Sequence, residues 1–149
     1  MAKISAAVVS TAASPVEPGA LLRLKAKTAV ELREAVRKGM PFGVFAALSK
    51  HLEMTLQEVA DVAGISARTV ARRKARGTLD PQESDRVYRL ARAVAQAAKS
   101  LGSLAKARAW LKAPNRALAG EVPLGLLDTD IGARQVEEVL LRLDYGIFS

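Results

Sequence analysis

Between Arg68 and Arg76 the chain reads RTVARRKAR, four arginines and a lysine in nine residues with no acid among them. A guanidinium is a planar fork of donors that pairs two-pronged with a phosphate or with the major-groove edge of guanine. Lysine adds a point charge and the salt-dependent, sequence-independent part of affinity. Ser66 stands just before the run, where a helix N-terminus can also receive a phosphate. The chemistry on offer is polyanion binding. Enzyme chemistry is poorly supplied: there is no cysteine, one histidine (His51), and no glycine-rich phosphate loop. Disulfides and Cys-based metal sites are thereby excluded, and a His-cluster metal site cannot form within one chain. The acids Asp128 and Asp130 lack a third ligand or a histidine beside them, so they are read as helix-capping residues. No catalytic residue, metal site or cofactor is expected.

The elements that must position the basic run follow from local signals. Thr28 with Glu31 forms a capping box, and Gly39 stops that helix. Pro41 opens a second helix, with Val44, Phe45, Leu48 and Leu52 at helical spacing; His51 lies at its boundary. Thr55 and Glu58 repeat the box before LQEVADVAG, and Gly64 ends the helix. Ser66 caps the next one, which stops at Gly77. Asp80, Pro81 and Glu83 begin the longest helix, whose apolar stripe is Val87, Leu90, Ala91, Val94, Ala98 and Leu101. A shorter helix runs from Ser103 to about Lys112, with Trp110 and Leu111 packing and Pro114 and Asn115 turning the chain. A loop leads to a last helix from about Asp130, striped by Val136, Val139, Leu140 and Leu143. No alternating run long enough for a strand is present, so the fold class is all-α.

From Leu56 to Ala75 these elements have the form of a helix-turn-helix. Ala60 is small enough for close approach of the second helix, and Gly64 accommodates a left-handed turn. Ile65 and Val70 anchor the second helix against Val59. Its exposed side then presents Ser66, Arg68, Thr69, Arg72 and Arg73, with Lys74 and Arg76 at its end; these are the expected DNA-binding residues. Arg86, Arg89 and Arg92 on the following helix are expected to widen the patch. Arg73 departs from the usual pattern, because an apolar anchor normally occupies that place. A shifted helix end, or a helix that meets only protein or DNA backbone, would explain it. A helical hairpin with a solvated basic face is the bland alternative.

The chain has 149 residues and a net charge of +8. Residues 121–149 hold six acids against two bases, a net −4, leaving +12 on the rest. A basic body suits a nucleic acid, and an acidic end suits either a solvated face or a second partner. Aromatics are only 4%, so the core must be Ala, Val and Leu. No apolar stretch reaches the roughly 20 residues of a membrane span. A cytoplasmic protein with a flexible Ala/Ser/Pro leader over 1–27 is expected, followed by a helical domain at 28–94 with the helix-turn-helix at about 55–76.

From about residue 40 onward the chain resembles the Xre/MbcA/ParS-type antitoxins. The resemblance rests on ESDR, AWLKxPN, GxxPLxLLDT and the ending VxxxLxRLxYG, in that order and spacing. It implies an Xre-like helix-turn-helix that represses its own operon from operator DNA. It also implies a small helical toxin-binding domain at 95–149 and a cognate RES-domain toxin that consumes NAD. The C-terminal end is implied to cover the toxin's active site, which makes Arg142, Tyr145, Gly146, Ile147, Phe148 and Ser149 the expected toxin-binding residues. An acidic last helix would be steered toward a basic, phosphate-binding site, and the aromatic end would fill a pocket. Tyr145 and Phe148 could instead fold back and cap the helix core in the free state. A homodimer reading two half-sites and a larger toxin–antitoxin complex are expected. A stand-alone helix-turn-helix regulator is the alternative.

Overall fold

The computed structural model describes residues 16–146. Among these residues the chain is all-α. Its helices are α1 (Pro18–Leu21), α2 (Ala29–Lys38), α3 (Gly43–Leu52), α4 (Leu56–Ala63), α5 (Ala67–Arg76), α6 (Pro81–Leu101), α7 (Leu104–Lys112) and α8 (Asp130–Asp144). Two 3-10 turns, Arg116–Leu118 and Pro123–Leu126, occupy what the sequence reads as a plain loop.

The capping signals act as their chemistry dictates. Glu31 N reaches Thr28 Oγ1 at 3.1 Å while Thr28 N donates to Glu31 at 3.0 Å. Thr55 and Glu58 repeat the exchange. At α8 the cap is Thr129, whose Oγ1 accepts from Gly132 N at 3.0 Å; it is not Asp128 or Asp130. The hydroxyl between the two acids reaches the third helical amide, while Asp130 pairs with Arg134 at 2.8 Å. Pro41 lies outside α3, in an isolated bridge to Thr78, and the helix begins at Gly43.

α6 is the axis of the molecule. Val87, Leu90, Ala91, Val94 and Ala98 are buried on it, as are Ala93, Ala95 and Ala97 beyond the expected stripe. Alanines lower the relief of a helix surface and let neighbours approach from several sides. The core is one continuous cluster from Leu21 to Leu140. Residues 16–27 depart from the expected flexible leader: Leu21 and Leu22 are each 1% exposed. Pro18 presets the first turn of a four-residue helix, and the two leucines behind it enter the core beside α6. An element this short has no periodicity to read.

Two linkers fix where α5 sits. Leu79 N donates to Met40 O at 2.8 Å, and Phe42 N donates to Gly77 O at 2.9 Å. Buried Ser84 accepts from Met40 N at 2.8 Å. The segments before α3 and after α5 are thereby joined side by side.

Candidate nucleic-acid interface and C-terminal docking surface

Val59, Ala60 and Ala63 of α4 and Ile65 of the turn are buried, with Val70 of α5 packed against them. Gly64 takes φ +72°, the left-handed geometry that closes the turn. α5 therefore crosses α4 as a helix-turn-helix. Its outward residues at helical spacing are Arg68, Ala71, Arg72 and Ala75, all exposed. Arginines alternating with alanines make a face that can approach a groove floor closely, a feature the sequence reading missed.

The seven expected DNA-binding residues separate by what they already hold. Arg68, Arg72 and Lys74 are exposed and make no ion pair with a described residue. Ser66 and Thr69 hold each other: Ser66 Oγ accepts from Thr69 N at 3.2 Å and lies 3.0 Å from Thr69 Oγ1. They cap the start of α5. Arg73 points inward and is 8% exposed. Its Nε donates to Glu83 at 2.7 Å, and Nη2 donates to Asp80 at 2.7 Å and to Glu83 at 3.0 Å. Arg76 reaches Asp80 at 2.6 Å and the Thr78 carbonyl at 3.0 Å and 3.2 Å. Arg73 thus takes the anchor's place with its own counter-ions supplied from α6. This corrects its expected position on the outer face.

The electrostatics of that cluster are mutual. Glu83 raises the affinity of the Arg73 guanidinium for its proton, chiefly through their hydrogen bond. Arg76, then Arg73, hold Asp80 below its ordinary value. Burial works against ionisation of Glu83, but the Arg73 guanidinium and the Asp80 amide outweigh it and hold its carboxyl low.

The three α6 arginines expected to widen the patch each have a partner within the fold, and Arg86 and Arg92 remain exposed. Arg86 donates to the Gly64 carbonyl at 3.1 Å, bracing the turn. Arg89 faces Asp85 at 3.6 Å, and Arg92 pairs with Glu137 at 2.8 Å.

At the other end, Arg92–Glu137 and a 3.0 Å bond from Gln96 to Asp144 clamp α8 onto α6. Val136, Val139 and Leu140 are buried beneath it, and Leu143 is packed alongside. Gly132 sits so close to the 3-10 turn that an added Cβ would lie 1.9 Å from Leu126 O. The outer face of α8 exposes Ile131 (73%), Leu141 (44%) and Tyr145 (75%). Tyr145 therefore does not fold back over the core. Arg142 and Gly146 are also exposed. Ile147, Phe148 and Ser149 lie outside the described residues. Trp110 is partly buried against the core, beside fully buried Leu111.

His51 is half-buried at the end of α3. Burial, then Arg23, Lys50 and Arg108, lower its basicity. Among the described residues no cluster of His, Asp and Glu could hold a metal, and no helix is long and apolar enough to cross a membrane.

Residues 31–92 match the family model of the antitoxin Xre-like helix-turn-helix domain. Residues 95–146 match that of the antitoxin Xre/MbcA/ParS C-terminal toxin-binding domain. An antitoxin Xre from Yersinia enterocolitica is 31% identical over 129 residues, covering 85% of this chain and 86% of the relative. The chain belongs to the Xre antitoxin family. An antitoxin Xre from Photorhabdus laumondii is 29% identical over 120 residues, 79% of this chain and 81% of that one. One from Pseudomonas putida is 40% identical over 68 residues, 46% of this chain and 43% of the relative. Within this Xre-family chain both matched regions share α6, which runs unbroken across 92–95.

Proposed function

We propose that this antitoxin neutralises a RES-domain, NAD-consuming toxin by laying its C-terminal segment over the toxin's active site. As a cytoplasmic homodimer within a larger toxin–antitoxin complex it also binds its own operator and represses transcription. It is not itself an enzyme. The observation that carries the toxin half is the end of α8. Two polar contacts and a buried stripe hold the helix rigidly, while Tyr145 at its tip stays three-quarters exposed. A fixed helix with an unburied aromatic end is built to present the residues at its tip to a partner. Arg142, Tyr145 and Gly146, with Ile147, Phe148 and Ser149 beyond, make the contact in this reading. The DNA half is supported by the free outward cations Arg68, Arg72 and Lys74 on α5.

Cells expressing the toxin encoded beside this chain should lose NAD. The full chain should prevent the loss, and a version ending at Asp144 should not. Equal protection by both versions would move inhibition to another surface. Operator binding with no toxin partner would leave a stand-alone regulator.

A further inference from the structure

One face of the C-terminal region is concave. Beside α8, facing the two 3-10 turns, is a cavity of about 360 Å³. Its floor is Leu118, Leu126 and Val139, and its rim is Glu121, Glu138 and Arg142. We propose that this concavity anchors the toxin, taking a toxin segment that presents an apolar side chain beside a lysine or arginine. The proposal rests on the toxin-neutralising reading above and names the surface that supplies its affinity.

Of the six C-terminal acids, Asp128 makes no ion pair with a described residue but stands beside the Gly64 turn and does not line the hollow. Asp130, Glu137 and Asp144 are each engaged, by Arg134, Arg92 and Gln96. Glu121 and Glu138 make no ion pair with a described residue, yet both stand at the rim of one apolar hollow. Two carboxylates against the single Arg142 leave the rim net acidic, which favours a cation, and the floor offers apolar surface to its neighbour. The wall is already rigid. Asn115 N donates to Glu121 O at 3.0 Å, Gly120 N donates to Asn115 O at 2.8 Å, and Ala117 N reaches Asn115 Oδ1 at 2.9 Å. Little order is lost on binding such a preformed site.

Arg142 lies one helical turn from Tyr145, so a segment seated here is tethered next to the exit of the C-terminal segment. Anchoring then raises the local concentration of the blocking residues at the toxin's site. The hollow holds and the end inhibits.

The test is calorimetric titration of the full chain and its variants with the purified toxin from the adjacent reading frame. E121K/E138K reverses two exposed charges and should weaken binding by about thirtyfold. A117W fills the mouth from an exposed position and should weaken it by about tenfold. E34K on α2, far from the hollow, should leave affinity unchanged. The chain ending at Asp144 should bind within about threefold of the full chain while failing to neutralise. Unchanged melting and operator binding show that each variant is folded. The proposal is overturned if the rim and mouth variants bind as the full chain does, or if ending at Asp144 abolishes binding. Failure of the full chain itself to bind the toxin would instead sink the functional reading, and the anchor with it.

Discussion

Arg73 carries a charge into the ground between α5 and α6, where desolvation opposes it. Three short hydrogen bonds to two carboxylates offset that cost, and the same carboxylates place the helix. The network makes stability depend on pH. Asp80 and Glu83 are held below their ordinary values in the fold, so their contribution is present above the unfolded carboxylate range. It is lost as pH falls through the depressed folded values. The melting temperature should therefore drop steeply below about pH 4, and D80N/E83Q should flatten that slope. Parallel melting curves for the variant and the parent would show that the network contributes nothing. At position 132 the constraint is steric: G132A would drive a methyl into the Leu126 carbonyl and should cost about 3 kcal/mol in urea unfolding. A loss under about 0.5 kcal/mol would mean the 3-10 turn yields freely.

For α5 the division between anchored and outward cations can be measured. R68A and R72A should each weaken operator binding and reduce the salt slope by about 0.9 for each phosphate left unneutralised. R73A should weaken binding through a displaced helix, with the salt slope of its remaining binding unchanged. Equal slope losses for Arg72 and Arg73 would contradict the inward placement. The capping boxes at Thr28–Glu31 and Thr55–Glu58 and the stop at Gly64 were legible from sequence because they act within four residues. The direction of Arg73 was not, because its partners lie seven and ten residues on, across a turn. The anomaly itself was visible: a base stands where an apolar anchor belongs, with acids at the start of the next helix.

Across the whole molecule, α6 belongs to both halves, and the helix-turn-helix and toxin-binding regions share one core. Unfolding followed by Trp110 fluorescence and by helical circular dichroism should give coincident transitions. A fragment of residues 95–149 should be largely unfolded, since Val87, Leu90, Ala91 and Val94 would be missing from its core. Two separated transitions, or a stably folded fragment, would show that the halves are independent. The shared helix also fixes the position of α8 relative to α5.

The sequence alone determined the all-α class and most of the longer helices with their caps and glycine stops, because these are short-range physics; it did not show α1, the start of α3 or the two 3-10 turns. It also determined the basic body and acidic end. Tertiary structure decided which charges remain available. Arg86 turns to a carbonyl 22 residues away, and Arg92 to a carboxylate 45 residues away. Leu21 and Leu22, in a segment composed like a tail, become core because α6 offers them a place. The hollow beside α8 exists only because two 3-10 turns and a helix meet around it. A side chain's partner is the nearest group in space, and spacing along the chain cannot say which group that will be.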